Sequence, residues 1–445
     1  MKNKIFIGTN LLNKKPFFID LNELINPHIL IFGISGSGKT HFIKYIMEEI
    51  IKKYPIENIK IIDGQGDIVT PNTYTVSFTE TGQYGINPLK LSDDPIYGGV
   101  RKKISNFINA INKTEKKLGN RQEAVLRNLL LDLYAKNGFF ADNPSTWKLE
   151  KEGKWRKSYP TASDLLRFTY SKIFNKKFGL DRKSVKKFEE LEKLNKQRYK
   201  LLIDKTKLEH NQSKLNDSQN QLLKAELKNI ENKINSLKEE MKKVCAEAID
   251  YSNGSEIEDL IKYQDANILL SVYDTLNNLF SKGFFKDKEP NFKGKLHRYD
   301  IKSLEIDEQK LFAEFLAQDL FNKARETGLK EEIFQYLIVD EARKFTNAKS
   351  KKDDALKLIA RESRKYGLGA VFATQQVEHL PDDILQNCSI KIILGVNEQV
   401  VSKVAKTLMI KEEHLSAIQL RKTALINVKT KNNSSNFYYP ILLYK

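Results

Sequence analysis

Residues His28–Ile50 read HILIFGISGSGKTHFIKYIMEEI, and this stretch decides the fold. HILIF is a short apolar run of the kind that forms a buried strand. GISGSGKT, Gly33–Thr40, then satisfies the pattern GxxxxGK[ST]. From Thr40 to about Lys53 the apolar residues recur at helical spacing. A strand before and a helix after are the context in which this short pattern becomes a phosphate-binding loop; a turn that only looks like one is the competing reading. Glycines let backbone N–H groups approach phosphate oxygens with no Cβ in the way. The helix N-terminus adds its positive dipole end. We therefore expect Gly33, Ser35, Gly36, Ser37, Gly38, Lys39, Thr40 and His41 to contact a nucleotide. Lys39 would reach the β- and γ-phosphates, and Thr40 would ligate Mg²⁺.

Working outward, the chain has three textures. Residues 1–100 alternate apolar runs with turn signals, as in KIFIG, PFFIDL, IKIIDG and YTVSF. Residues 101–293 are polar and helical in spacing. Within them, from about 183 to 245, Leu194, Leu201, Leu208, Leu215 and Leu222 recur every seven residues. Leu227, Ile230, Ile234, Leu237, Met241 and Val244 then step by threes and fours, an a/d pattern. LNDSQN, Leu215–Asn220, is a turn signal that would fold two helices into an antiparallel coiled-coil hairpin. One continuous helix is the alternative, because the heptad crosses that turn. Residues 294–445 return to strands, with FQYLIVDE, GAVFATQQ, SIKIILGV, TALINV and FYYPILLY nearly continuous in apolar character. Such runs suit strands covered on both faces. The expected fold is α/β: a RecA-like P-loop NTPase core with a mostly parallel central sheet, interrupted by a long helical insertion.

The remaining chemistry sits in the third region. In FQYLIVDEARKF, Asp340 follows a hydrophobic strand, so its carboxylate emerges at the C-terminal edge near the phosphate loop. There it would hold Mg²⁺, mostly through water. Glu341 can polarise a water for in-line attack on a γ-phosphate; a surface carboxylate is its plainer reading. Thr374 and Gln375 end the strand AVFATQ, which would lie beside the phosphate-loop strand and let Gln375 sense the γ-phosphate. Arg361 and Arg364 lie about one helical turn apart just before it. A permanently charged guanidinium suits transition-state charge across a subunit boundary, and a salt-bridged surface arginine is the alternative. IIDGQGDI ends a strand at Asp63 and places Asp63 or Asp67 near the nucleotide, or else forms a bare turn.

Composition narrows the partners. A net charge of +18 and a pI near 9.4 favour a polyanion such as nucleic acid. A Lys-, Asn- and Ile-rich composition of the kind AT-rich genomes encode supplies part of that excess. The two cysteines, Cys245 and Cys388, exclude a disulfide framework and point to a reducing cytosol. No stretch approaches the ~20 apolar residues of a membrane helix, and no secretory leader is evident. We expect a cytoplasmic protein that meets a membrane only through a partner.

Together these motifs resemble the HerA/FtsK superfamily of pumping ATPases, on its HerA side, with the type IV secretion motors as close relatives. GISGSGKT resembles the family's phosphate loop, IIDGQGDI its strand-end aspartate segment, and GINPLKL, with Asn87-Pro88, its Asn-Pro segment. IVDEARKF resembles its Asp-Glu-Ala motif, and RESRKYGLGAVFATQQ its Arg-Lys helix and Thr-Gln strand, with Ser363 where the family has glycine. The resemblance implies ATP and Mg²⁺ as cofactors, with Lys39, Thr40, Asp340 and Glu341 as the ATPase centre. It further implies Gln375 as γ-phosphate sensor, Arg364 as a finger acting on a neighbour's site, and Asp63 as a nucleotide contact. It implies a homo-hexameric ring with double-stranded DNA in its channel. Fewer than thirty residues precede the phosphate-loop strand, too few for the N-terminal β-barrel usual in HerA proteins. The heptad-bearing helices are longer than the family's helical insertion and would dock a partner or brace the ring.

Three functions fit. The first is an ATP-driven DNA translocase. The second is an energising ATPase for conjugation or type IV secretion. The third is an ATP-dependent ring scaffold or sensor in a phage-defence complex, in which turnover is secondary. A nuclease, an effector or transfer machinery would be the respective protein partner.

Overall fold

The structure, a computed structural model, describes residues 3–114, 117–149, 157–178, 182–211, 217–250, 262–263, 265–281, 283–346 and 354–444. The chain forms two compact units. The first comprises Met1–Leu118, Tyr134–Ala162 and Asn278–Lys445; the second comprises Gly119–Leu133 and Ser163–Asn277.

The strands, in chain order, are β1 (Ile5–Asn10), β2 (Pro16–Ile19), β3 (His28–Phe32), β4 (Asn58–Asp63), β5 (Thr73–Ser77), β6 (Leu296–Asp300), β7 (Lys330–Val339), β8 (Tyr366–Thr374), β9 (Cys388–Ile393), β10 (Thr423–Val428) and β11 (Tyr439–Leu443). The helices are α1 (Lys39–Lys53), α2 (Val100–Ile111), α3 (Asn120–Lys136), α4 (Ala162–Phe178), α5 (Arg182–Asn211), α6 (Asp217–Asp250), α7 (Ala266–Phe280), α8 (Ile306–Glu326), α9 (Ala355–Glu362), α10 (Asp382–Asn387), α11 (Val401–Leu408) and α12 (Glu412–Ser416).

In the first unit all these strands join one sheet in the order β2-β1-β11-β10-β9-β3-β8-β7-β4-β6-β5. From β9 to β5 every pairing is parallel; β2, β1, β11 and β10 extend the β9 side in antiparallel fashion. The central strands are buried along their length, which explains why HILIF and YGLGAVFAT read as near-continuous apolar runs. As the sequence predicts, β8 lies beside β3, with Phe32 opposite Thr374. One face of the sheet packs on α1. Phe42, Ile43, Ile46, Met47 and Ile50 recur at helical spacing and meet Ile29, Ile31, Ile59, Ile61, Ile338 and Val371. Lys52 and Lys53 in the last turn of α1 suit its negative dipole end. The other face carries α8, whose start is fixed by a reciprocal capping box between Glu305 and Glu308. Phe312 of α8 meets Phe78 in a tilted pair, and Phe315 stacks with Phe107 of α2. Thus α2, which the sequence places in the helical insertion, packs within the first unit.

In the second unit α5 and α6 run antiparallel. Lys187 pairs with Glu247 at 2.8 Å and Lys205 with Glu231 at 2.5 Å, so numbers rise along one helix as they fall along the other. Leu194, Leu223, Ile234 and Val244 are buried in this unit. The helices are therefore two that fold back rather than one continuous rod. Leu215 and part of the expected LNDSQN turn lie outside the described residues.

Candidate active site

The phosphate loop hangs between three strands. Gly33 N–H donates to the Thr374 carbonyl at 3.2 Å, and Ile34 N–H to the Gly395 carbonyl at 3.4 Å. Glycine at position 33 is a packing requirement, because a Cβ there would lie 2.4 Å from Ser37 Oγ and 3.1 Å from Leu394 Cβ. Gly36 and Gly38 adopt φ of 77° and 93°, the left-handed region that side chains resist. Ser35, Gly36 and His41 are exposed along the rim, while Ser37 and Lys39 are buried. Ser37 Oγ has no partner and is free to take one.

Two predicted residues converge on the carboxylate of a third. The Lys39 ammonium donates to Glu341 Oε1. Gln375 Nε2 donates to the same oxygen at 2.6 Å. Glu341 is buried and holds φ 51°, ψ 48°, a left-handed backbone that a non-glycine residue adopts at a cost of about 1–3 kcal/mol. That turn follows β7 directly and aims the side chain across β8 towards β3. The phosphate-loop lysine, the acid after β7 and the amide after β8 thus form one hydrogen-bonded group.

Beside this group lies an acidic corner. One carboxylate oxygen from each of Asp63, Asp67 and Asp340 lies within 4.8 Å of the others. Thr40 Oγ1 donates to Asp67 Oδ2 at 3.1 Å. Asp340 Oδ1 is buried without a partner. Burial pushes the Asp340 carboxyl up to about 6; the Lys39 ammonium opposes the rise, and Glu341, Asp67 and Asp63 add to it. A divalent cation relieves this kind of clustering, so the residues fit Mg²⁺, with Thr40, Asp67 and Asp340 as its holders.

Asp63 behaves differently from its expected role as a nucleotide contact. Its Oδ1 accepts Gln65 N–H at 3.0 Å and Gly66 N–H at 2.7 Å. Its Oδ2 accepts Ile68 N–H at 3.0 Å and Arg298 Nε at 2.7 Å. Four donors fill its lone pairs, so Asp63 shapes the turn that carries Asp67 to Thr40. Arg298 escaped the sequence reading, because nothing in LHRYD marks one residue as the partner of a strand end over two hundred positions away. Strand adjacency does so, since Asp63 and Asp300 are opposite in register.

The reading also missed Arg421. It lies just before β10 at φ 63°, and its Nε donates to the Gly36 carbonyl at 2.8 Å. With Phe42, Tyr45 and Tyr444 it lines a recess of about 840 Å³ that reaches Gly38. Arg364 is elsewhere. It is exposed on the turn before β8, at the strand end opposite the phosphate loop. A strand of nine residues separates it from Gln375, about 30 Å of backbone. It reaches no phosphate of its own subunit.

The Asp340 environment makes a stability prediction. Its folded carboxyl titrates about 6, above the ordinary carboxylate range, so its charge destabilises the metal-free fold above pH 6 and the penalty fades as pH falls. Asp340→Asn should raise metal-free stability at pH 7.5 by about 3 kcal/mol. It should also abolish the extra stabilisation that MgATP gives over ATP with EDTA. Thermal unfolding under both conditions reads both effects; a variant still stabilised by Mg²⁺ would remove Asp340 from the cation site.

The family model for the helicase HerA central domain matches residues 5–320. The chain belongs to the HerA central-domain family. It is a P-loop ATPase of the HerA/FtsK type. The match ends before Asp340, so the second half of this HerA-type site comes from the fold and not from the matched segment. VirB4 of Thermoanaerobacter pseudethanolicus is similar in structure, with a TM-score of 0.65, 13% identity, and coverage of 99% of this chain and 96% of that one. The bacterial conjugative coupling protein TrwBdeltaN70 aligns with a TM-score of 0.50 and 10% identity, over 98% of this chain and 88% of its own. Comparison with curated proteins gives no match. Among the described residues, no helix of this HerA-type chain is long and apolar enough to cross a membrane.

Proposed function

We propose that this chain is an ATP-hydrolysing motor that works as a homo-hexameric ring and moves double-stranded DNA. The observation that carries the hydrolytic part is the group Lys39–Glu341–Gln375 beside Thr40, Asp67 and Asp340. A switch that only binds nucleotide needs no buried acid held against its phosphate-loop lysine. When ATP enters, Lys39 moves from Glu341 to the β- and γ-phosphates. Glu341 then accepts the proton of the attacking water, and Gln375 orients that water or the γ-phosphate. Thr40, Asp67 and Asp340 would hold Mg²⁺, which when bound would neutralise charge on the phosphate oxygens. In this reading Arg364, exposed at the far strand end, would serve a neighbour's site in the ring.

DNA as cargo rests on family membership and on the net charge of +18, which favours sequence-independent phosphate contacts. A second reading, an energising ATPase for conjugation or secretion, is favoured by the near end-to-end alignment with VirB4. ATP hydrolysis measured with and without long duplex DNA, together with displacement of a bound roadblock, separates them. The motor should be stimulated by duplex DNA about tenfold or more at low salt, with stimulation falling steeply as salt rises. Neither binding nor stimulation by DNA at low salt would eliminate the translocase and leave the secretion or scaffold reading.

A further inference from the structure

Lys60 breaks the apolar pattern of a central strand. It lies in β4 between Ile59 and Ile61, which face the α1 side, so its side chain leaves on the opposite face. In register it stands between His297 of β6 and Leu337 of β7. A cavity of about 330 Å³ opens there, under α8 and α2, with Asn58, His297 and Gln335 on its walls. Asn58 and His297 lie at the N-terminal ends of β4 and β6, and Gln335 of β7 stands opposite Asn58 in register, away from the phosphate loop at the C-terminal ends. A half-buried lysine in such a place costs stability unless a partner meets it, and breaches of pattern concentrate at functional sites.

The cavity's charges do not cancel. Lys90 pairs with Glu289 at 2.6 Å, and Lys323 with Asp319 at 2.8 Å. Lys60 and Lys103, which also line it, have neither an ion pair nor a hydrogen bond among the described residues; Lys103 has only the Phe315 ring, 5.9 Å from its centroid. Both ammoniums feel the one Asp319 carboxylate, so they share a neighbourhood. Burial pushes each down to about 8, so both remain charged at neutral pH. Phe292, Tyr299 and Phe315 supply an aromatic wall, and Phe292 stacks on His297 at 4.7 Å. Ile86, Asn87 and Lys90, from the Asn-Pro segment that the hydrolysis site leaves unused, complete the lining.

We propose that this cavity binds a small phosphomonoester, its dianionic phosphate meeting Lys60 and Lys103 and its apolar part resting on the aromatic wall. Lys60, Lys90, Lys103 and Lys323 face Glu57, Glu289 and Asp319 across the lining, so one positive charge is left in excess for the phosphate, with Lys60 and Lys103 the cations that no carboxylate pairs among the described residues. The volume suits a small molecule and not a nucleic-acid duplex. None of the phosphate-loop residues lines the cavity, so the two sites are separate.

Calorimetric titration of phenyl phosphate into the full chain carrying Lys39→Ala, which weakens the phosphate loop, tests this. One saturable site is expected. Adding Lys60→Met or Lys103→Met should each weaken it about 10-fold or more, the usual loss for a charge-assisted hydrogen bond. Lys60→Arg should retain binding within about threefold, since the charge stays. In the chain with Lys39 intact, Lys60→Met should leave ATP affinity unchanged. The methionine variants should unfold at the parent's temperature or above, because each removes a half-buried ammonium that has no ion-pair partner among the described residues. No binding of phenyl phosphate, equal binding by the Lys60→Met/Lys103→Met double variant, or a Lys60→Met chain less stable than its parent would each overturn the proposal.

Discussion

Glu341→Gln is expected to lower ATP turnover by about 10²–10⁴-fold, the usual contribution of a positioned general base, while ATP binding persists. The substitution keeps shape and one acceptor oxygen, so Gln375 and Lys39 retain a hydrogen-bond partner. What disappears is the negative charge and the capacity to take a proton from water. Without that charge, Lys39 is released more readily to the phosphates, so nucleotide affinity should hold or rise. Phosphate release under saturating ATP reads the first effect, and titration with a fluorescent ATP analogue reads the second. Turnover at the parental rate would strip Glu341 of its assignment. A collapse of nucleotide binding instead would mean that the acid shapes the loop and does not act on water.

Arg298→Met should have the largest effect on stability. Arg298 and Asp63 are both buried, and the guanidinium also reaches Thr75 Oγ1 at 3.3 Å and Asp300 at 3.5 Å. Removing one member of a buried pair strands the other, at about 3–5 kcal/mol. The midpoint of urea unfolding should fall accordingly. Asp63→Asn combined with Arg298→Met should recover part of the loss, because the stranded charge is gone, and the double-mutant cycle isolates the pair. The single variant should also bind Mg²⁺-nucleotide more weakly, since the turn from Gly64 to Ile68 no longer holds Asp67 against Thr40. An unchanged midpoint would show that the turn is held by its backbone alone.

These two variants mark the boundary of what one sequence reveals. The phosphate loop is legible because its residues are contiguous and their conformational demands are severe. Asp340 and Glu341 are legible because a hydrophobic strand ends at them, and Gln375 because a neighbouring strand does. The role of Asp63 is not legible, because strand position says where a carboxylate emerges and not which donors fill its lone pairs. Arg298 and Arg421 carry no local signature; each acts through a partner that only the sheet order brings near. Arg364 shows a related blindness, since helical spacing near a strand does not say which end of the sheet the residue occupies. Lys60 is visible as an anomaly in NIKIID, yet its cavity is assembled from six separate segments.

The order of the sheet also dictates when the enzyme can come into being. β3, which carries the phosphate loop, is flanked by β8 and β9, and both are encoded in the last fifth of the chain. During synthesis β3 therefore waits with both edges unpaired and its apolar side chains uncovered. Loop closure over such separations is slow, and exposed strand edges invite association with other chains. Synthesis must pass Ile393 before β3 has both of its neighbours and the phosphate loop its full frame. Chaperone demand should accordingly peak in the interval between emergence of β3 and release of β9.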